Sequence, residues 1–116
     1  MSNSFINAKA DLTTTDNTTL YTTPSANVAL VKSILVSNDS GSGCNLDVTL
    51  TDASGNVFSL FKTKTIATIT TTELLTQPLV MEESEILKVQ ASDANELHVI
   101  ASILQIQPCE VTTYWY

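Results

Sequence analysis

The chain has 116 residues and a mass of 12.5 kDa, which suffices for one domain with its own hydrophobic core but not for two ordinary domains. Acidic residues number 12 against five basic ones, all of them Lys, so the net charge is −7. Because phosphate recognition needs clustered cations, this composition argues against nucleic acid or an anionic membrane surface as a partner. One His and two Cys leave too few residues for most catalytic or metal centres.

No targeting or membrane-spanning segment is visible in the sequence. Residues 1–7 lack the basic region and apolar run of a secretory signal, and the longest mostly apolar run, 99–106, has the length of a strand. We therefore expect a soluble protein made in the cytoplasm without export. Cys44 and Cys109 show no CxxC pattern, so they are predicted to be free thiols unless the fold brings them together.

Residues 1–16 are predicted to form an extended N-terminal arm with one strand around 5–12. After this arm, short β-branched segments alternate with polar turns, and period-2 alternation is far more frequent than helical spacing. Residues 66–72 are rich in Thr, which favours an exposed edge strand. The predicted strands are 18–23, 28–36, 46–51, 57–62, 66–72, 79–81, 86–91 and 97–106.

Two of these segments are the most informative. In 46–51, apolar residues alternate with polar ones, and Gly55 in the next turn can supply a positive φ, so 46–62 is predicted to be a hairpin. Segment 28–36 carries apolar residues on both faces, which predicts a central strand that is covered on both sides for part of its length.

The whole pattern predicts an all-β fold. About eight strands at spacings of roughly 8–12 residues, with no segment long enough for a crossover helix, are typical of an antiparallel β-sandwich of jelly-roll-like form. The sandwich domain is assigned to 17–107. Residues 108–116 lie outside the strand pattern and are assigned to a C-terminal tail.

Residue patterns that could support chemistry are sparse. His98, the only imidazole, lies in a predicted strand, where it is typical of a structural residue. The acidic turn 82–85 is predicted to be a solvated corner, and the oxygen-rich loop after Asp52 lacks the spacing and the distal Glu of a calcium loop. We therefore expect no enzyme activity, no cofactor and no metal.

The tail carries an aromatic cluster beside Val111, and such side chains are seldom left in water without a reason. Three interpretations stay open. The tail folds back and caps one end of its own sandwich, or it docks on a neighbouring subunit, where Trp and Tyr make strong anchors. In the third interpretation, its aromatic side chains form a platform on which sugars stack. The candidate partner-binding residues in the arm and tail are Phe5, Ile6, Val111, Tyr114, Trp115 and Tyr116.

Residues 21–24 (YTTP) and 28–38 (VALVKSILVSN) form a turn, a strand and a polar loop, and a second set follows in 78–82 (PLVME), 87–92 and 97–106. Over about 17–107, this ensemble resembles small virion structural proteins of tailed bacteriophages, of the cyanophage type. The chain departs from their pattern at Ala26-Asn27, where the family often has Gly-Lys. It departs again at 83–85, where the family often has a Gly-containing turn.

The resemblance implies a β-sandwich protein of the virion without enzyme activity. We expect a capsid decoration (cement) protein that binds the major capsid protein and forms a homo-oligomer, because low charge, abundant Thr and Ser, and two reaching termini suit a shell surface. A neck or tail protein of the same virion is the alternative. A carbohydrate-binding module is a third interpretation, although Phe58 and Phe61 are predicted to point to opposite faces and to make a poor sugar platform.

Overall fold

A computed structural model describes residues 2–107 and shows an all-β protein. Thr, Val and Ile recur throughout its strands, because branching at Cβ restricts helical rotamers and packs well on a pleated sheet. Within residues 2–107 the chain forms nine strands and no helix. The strands are β1 (Ser2–Leu12), β2 (Thr18–Thr22), β3 (Val28–Asn38), β4 (Cys44–Thr51), β5 (Val57–Ile66), β6 (Thr70–Glu73), β7 (Leu79–Met81), β8 (Ile86–Ala91) and β9 (Leu97–Gln107).

The strands form two antiparallel sheets. Sheet A has the order β1-β9-β3-β6, and β7 pairs with the other half of β3; sheet B has the order β2-β8-β4-β5. If β6 and β7 are counted as the two halves of one strand, β8 becomes the seventh strand and β9 the eighth. The strand order is then 1-8-3-6 in sheet A and 2-7-4-5 in sheet B. This is the strand order of a jelly roll built from two Greek keys, so the predicted sandwich is confirmed.

The sandwich has two distinct ends, which we name after the strand β9. The Leu97 end, where β9 begins, carries the loops 13–17, 39–43, 67–69 and 92–96. The Gln107 end, where β9 ends and β1 begins, carries the turns 23–27, 52–56 and 82–85.

The predicted arm is part of the sandwich. Residues Ser2–Leu12 form β1, which pairs with β9 without interruption from Ser2 opposite Gln107 to Leu12 opposite Leu97. The reason is a period-2 pattern of small apolar residues: Ile6, Ala8 and Ala10 pack against the core. The prediction that residues 1–16 form an arm outside the domain is therefore corrected for residues 2–12, which belong to the sandwich. The predicted tail, 108–116, lies outside the described residues.

The core lies between the two sheets and is built from strictly alternating residues. In β9 the inward set is fully buried, and in β3 the inward set continues across a bulge between Val31 and Ser33. Sheet B contributes the inward residues of β4 and β8. The central members of this core are Ala29, Val31, Ile34, Val36, Leu46, Val48, Leu87, Val89, Leu97, Val99, Ala101 and Ile103.

Two expectations about the edge strands are wrong. Segment 66–72 is not one strand, since β5 ends at Ile66 and β6 begins at Thr70 after a turn at Ile69, whose φ is 52°. Phe58 and Phe61 do not alternate across the sheet, because a bulge places Phe58 opposite Leu50 and Phe61 opposite Val48. An irregular register is not visible in the periodicity of a sequence.

A buried amide fixes the loop between β3 and β4. Asn38 is fully buried, and its Nδ2 donates to the carbonyl oxygens of Ser42 (2.9 Å) and Ile66 (3.3 Å). Its Oδ1 accepts from the backbone N–H (3.0 Å) and the hydroxyl (2.8 Å) of Ser40. The amide therefore satisfies its hydrogen-bonding groups inside the protein, which is the condition for burying it without a large penalty.

The two departures from the bacteriophage pattern fall on strained backbone. Ala26 and Ser84 have φ values of 63° and 67°, in the left-handed region that favours Gly. The two turns are tied together, because the backbone N–H of Ala26 donates to the Glu83 carboxylate (2.9 Å) and that of Ser84 donates to the Thr23 carbonyl (3.0 Å). These hydrogen bonds hold both residues in conformations that their side chains disfavour.

We predict that Ala26→Gly and Ser84→Gly each raise the free energy of unfolding by about 1 kcal/mol, because Gly adopts a positive φ without the Cβ clash. Both residues are exposed, so little packing is lost. Chemical denaturation followed by circular dichroism measures the change. Ala53→Gly is the matched control: Ala53 is also an exposed turn residue but is not among the positive-φ residues, so this change should not stabilise. Equal effects at Ala26 and Ala53 would contradict the prediction.

Candidate interaction surface

An uninterrupted apolar row crosses the outer face of sheet A near the Gln107 end. The strand register places Phe5 of β1 opposite Leu104 of β9, Leu104 opposite Leu30 of β3, and Leu30 opposite Val80 of β7. Phe5 is 80% exposed and Val80 56% exposed, while the two leucines are half-buried. Side chains in register on one face of neighbouring strands lie in contact distance, so the row forms one surface.

The next row toward the Gln107 end extends this surface. Ile106 of β9 pairs with Val28 of β3, and Val28 is 37% exposed. We call these residues together the apolar face, consisting of Phe5, Val28, Leu30, Val80, Leu104 and Ile106.

A shallow depression of about 290 Å³ adjoins the apolar face. It lies beside Phe5, where the short side chain of Ser102 on β9 and the bulge of β3 at Lys32 leave space. Its lining includes the ring of Phe5, the amide of Asn7 and the ammonium group of Lys32. These groups are suited to bind an aromatic side chain that also carries a polar group.

The outer face of sheet B is different in kind. The row that corresponds to the apolar one runs from Thr19 of β2 through Lys88 of β8 and Thr49 of β4 to Ser59 of β5. A polar groove of about 330 Å³ lies beside it, and there the Gln90 amide donates to the Thr15 carbonyl (2.9 Å). Of the two outer faces, only that of sheet A carries an apolar row across four strands within residues 2–107.

His98 lies on the outer face of sheet A at the opposite, Leu97 end. Its Nε2 is 3.2 Å from Asp11 Oδ1 and its Nδ1 is 3.9 Å from Asp39 Oδ2. All three side chains are substantially exposed, so water screens the pairs and their contribution to stability is small. Its position within a strand is the one predicted from the sequence.

One cluster of potential metal ligands occurs within residues 2–107. The ligand atoms of Cys44, Asp93 and Glu96 lie within 4.8 Å of one another. Hydroxyl groups lie against both carboxylates: Ser92 Oγ is 3.3 Å from Asp93 Oδ2, and Ser40 Oγ is 3.2 Å from Glu96 Oε1. Cys44 is a buried free thiol, and Cys109 lies outside the described residues. The expectation of no metal stays a prediction.

The loop after Asp52 is organised by its own hydrogen bonds. Asp52 Oδ1 accepts from the backbone N–H groups of Ser54 and Asn56, each at 2.9 Å, and Oδ2 accepts from the Asn56 side chain (3.3 Å). Chiefly the backbone hydrogen bond from Asn56 lowers the pKa of the Asp52 carboxyl below its usual value. The carboxylate thus closes the β4–β5 hairpin, the role expected of Asp at the start of a turn.

The structure separates the predicted partner-binding residues. Phe5 points outward from β1 and belongs to the apolar face, whereas Ile6 points inward and packs partly buried against the core, so only its remaining exposed fraction can meet a partner. Val111, Tyr114, Trp115 and Tyr116 lie outside the described residues. Five residues of the apolar face were not predicted from the sequence: Val28, Leu30, Val80, Leu104 and Ile106. The only signal was the presence of apolar residues on both faces of segment 28–36.

A hydrogen bond across the sandwich braces this end of the molecule. Tyr21 of β2, in sheet B, donates from its hydroxyl to Gln105 Oε1 of β9, in sheet A, at 2.6 Å. The tyrosine side chain is 9% exposed, and burial raises the pKa of its phenol above the usual value. The contact therefore fixes β9 next to Leu104 and Ile106 of the apolar face.

No family model and no curated protein matches the chain. Among solved structures, it is similar to one described as the structure of infectious bursal disease virus Gt strain, with a TM-score of 0.44 and 10% identity over 92% of this chain and 31% of that one. It is also similar to two crystal structures of a pentameric capsid protein isolated from metagenomic phage sequences. Their TM-scores are 0.41 and 0.40, both at 18% identity, over 89% of this chain and 59% and 62% of theirs. The chain thus spans less than two-thirds of each matched chain. Within residues 2–107 there is no helix long and apolar enough to cross a bilayer.

We predict that Tyr21→Phe lowers the free energy of unfolding by about 1 kcal/mol near neutral pH, because it removes one partly buried hydrogen bond. The pKa of Tyr21 is higher in the folded than in the unfolded chain. Its contribution to the free energy of unfolding is therefore fully present below the usual tyrosine pKa of about 10 and is lost as pH rises above that value. The difference between the wild-type chain and the variant should therefore shrink at alkaline pH. Urea unfolding at several pH values measures it, and a gap that widened above the tyrosine pKa would contradict the role given to Tyr21.

Proposed function

We propose that this chain is a structural component of a tailed bacteriophage virion, and specifically a capsid decoration protein that binds the major capsid protein and stabilises the shell. Three observations support the proposal. The sequence resemblance spans about 17–107, the strand order is that of a jelly roll, an architecture used by viral capsid proteins, and one sheet carries an apolar face that no other part of residues 2–107 covers. Since a fold alone does not define a function, the apolar face is the observation that carries the proposal.

The apolar face has the chemistry of a protein-binding surface. Phe5 stands exposed at its edge, and its neighbours Leu104 and Leu30 form a half-buried floor. An exposed aromatic residue beside a partly desolvated apolar surface is the usual composition of an interaction hot spot. The polar, Thr-rich face of sheet B suits the side of a decoration protein that is turned to water.

Five of the seven exposed large apolar residues within residues 2–107 lie at the Gln107 end of the sandwich, whereas Leu35 and Ile69 lie toward the Leu97 end. Val57 and Phe58, at the start of β5, are 63% and 51% exposed and lie at the Gln107 end, as does the apolar face. A decoration protein that stands on the shell with this end downward would bury both groups. Association of several copies on the shell, through the same end, accounts for the proposed homo-oligomer.

We further propose that the protein is not an enzyme. Both ionic contacts of His98 within residues 2–107 are to carboxylates, Asp11 and Asp39. General base catalysis by an imidazole requires a nucleophile or a water held on its second nitrogen, and here carboxylates face both nitrogens. The arrangement is an exposed charge cluster at the Leu97 end, remote from the apolar face.

Binding to capsid shells tests the proposal. Purified full-length chain is mixed with shells assembled from the major capsid protein of the same phage, and bound protein is measured after sedimentation. We expect saturation at a copy number that matches the capsid lattice. Phe5→Ser should weaken binding about 30-fold, which corresponds to the loss of about 2 kcal/mol expected for an aromatic hot-spot residue.

The matched control is Thr65→Ala, which changes an exposed residue on β5 of sheet B that is paired with Asn45. This variant should bind as the wild-type chain does. Failure of the wild-type chain to sediment with shells would overturn the decoration role. Binding only at the single portal vertex would move the protein to the neck or tail.

A further inference from the structure

Within residues 2–107, the outer edge of β1 is the one long sheet edge that has no feature to block strand pairing. Strand β1 pairs with β9 over 11 residues without a shift in register, and no described strand pairs with its other side. Its segment 2–8 (SNSFINA) contains neither a proline nor a charged side chain. The unpaired backbone N–H and C=O groups of such an edge form a template for another strand.

The other edges of the two sheets carry features that prevent pairing. In sheet A, β6 and β7 are only four and three residues long. In sheet B, β2 has a bulge between Thr19 and Tyr21, and β5 has two bulges against β4 and carries Lys62 and Lys64. Short edges, bulges and lysines are the usual means by which soluble proteins avoid edge-to-edge association. The contrast indicates that the edge of β1 is open to a partner strand.

Phe5 lies at the centre of the uncharged segment 2–8. Its side chain is 80% exposed and stands at the β1 end of the apolar row. The charged residues of the strand, Lys9 and Asp11, come only after this segment. Because the segment is centred on Phe5, two copies that pair antiparallel over its seven residues place the two rings opposite each other. Aromatic pairs across neighbouring strands are among the favourable contacts of a sheet.

The same register is compatible with the rest of the segment. It places Asn3 opposite Asn7 of the second copy, and both positions are exposed on the outer side of the strand. On the inner side, it places Ser4 opposite Ile6. A net charge of −7 on each chain opposes association of two copies, so a contact without charged side chains is where that repulsion is least.

We propose that the free protein forms a symmetric dimer in which the segments 2–8 of two β1 strands pair antiparallel, with Phe5 opposite Phe5. Each copy uses the same surface, so the assembly closes at two copies, and the two sheets A join into one. The two-fold axis is perpendicular to the joined sheet. The apolar row therefore continues from Val80 of one copy through both Phe5 rings to Val80 of the other. The dimer concerns the chain in solution and does not depend on the proposed function.

Sedimentation equilibrium of the full-length chain tests the dimer. We expect twice the 12.5 kDa mass of one chain at micromolar concentration. Phe5→Ser should raise the dissociation constant at least about 30-fold, as expected for an aromatic hot-spot residue. Val80→Ser, at the far end of the row, should leave it unchanged. A chain that stays monomeric, or an oligomer with an odd number of copies, would overturn the proposal. Equal losses from the two variants would also overturn it, because they would assign the contact to the apolar face.

Charges at the facing positions test the register. Asn3→Asp combined with Asn7→Asp places like charges opposite each other and should raise the dissociation constant at least about 10-fold at low salt. Asn3→Lys combined with Asn7→Asp places opposite charges there and should restore the dimer. These side chains are exposed, so both variants should fold, which circular dichroism verifies.

The matched control is Ser59→Asp combined with Thr65→Asp, which adds the same charge at exposed positions on β5 of sheet B. This variant should dimerise as the wild-type chain does. Dissociation of the control to the same extent as the doubly acidic β1 variant would overturn the proposal, since net charge alone would then explain the effect. Equal dissociation constants for the two charged β1 variants would overturn it as well.

Discussion

The pairing of β9 with β1 on one side and β3 on the other is the constraint on which the rest of the structure depends. The two ladders run the full length of β9 and fix which residues share a row. Because side chains alternate along a strand, burying Val99, Ala101 and Ile103 in the core forces Ile100, Leu104 and Ile106 outward. A slip of one residue in either ladder would exchange the two sets and destroy both the core and the apolar face.

The same constraint explains why the outer face of sheet A is apolar where that of sheet B is polar. The inner faces of both sheets are apolar and complementary, so the core makes no distinction between them. On the outside, Phe5, Leu30 and Val80 oppose water in sheet A, whereas Thr19, Lys88 and Ser59 meet it in sheet B. Covering roughly 300 Å² of apolar surface gives on the order of 7 kcal/mol before the costs of ordering and association. That is enough to hold a short segment, or to anchor one part of a larger interface.

Much of the fold could be predicted from the sequence, because most strands follow clean alternation. The hairpin over 46–62 and the bounds of β7 and β8 were readable, since polar turns frame them and a single face is buried. β1 was underestimated, because its inward residues Ala8 and Ala10 are small and carry a weak signal. Phe58 and Phe61 were assigned to opposite faces, because a bulge changes the register without changing the composition.

The candidate site was predictable only in part. Phe5 was a visible candidate, since an aromatic residue in a polar segment stands out. Its neighbours Leu30, Leu104 and Val80 come from three other strands, and only the register of sheet A brings them together. The positive φ of Ala26 and Ser84 likewise coincides with the positions where the bacteriophage pattern that the sequence resembles has or includes Gly. At these two turns, the difference from the bacteriophage pattern marks backbone with a positive φ.

The proposed decoration role is tested most directly by the orientation of the sandwich in an intact virion. A cryo-electron microscopy reconstruction in which the strands are resolved would show which sheet faces the neighbouring protein. The account predicts that the outer side of sheet A, at the Gln107 end, lies against that neighbour and that Phe5 is buried there. A map with sheet B against the shell, and the apolar row open to solvent, would contradict it.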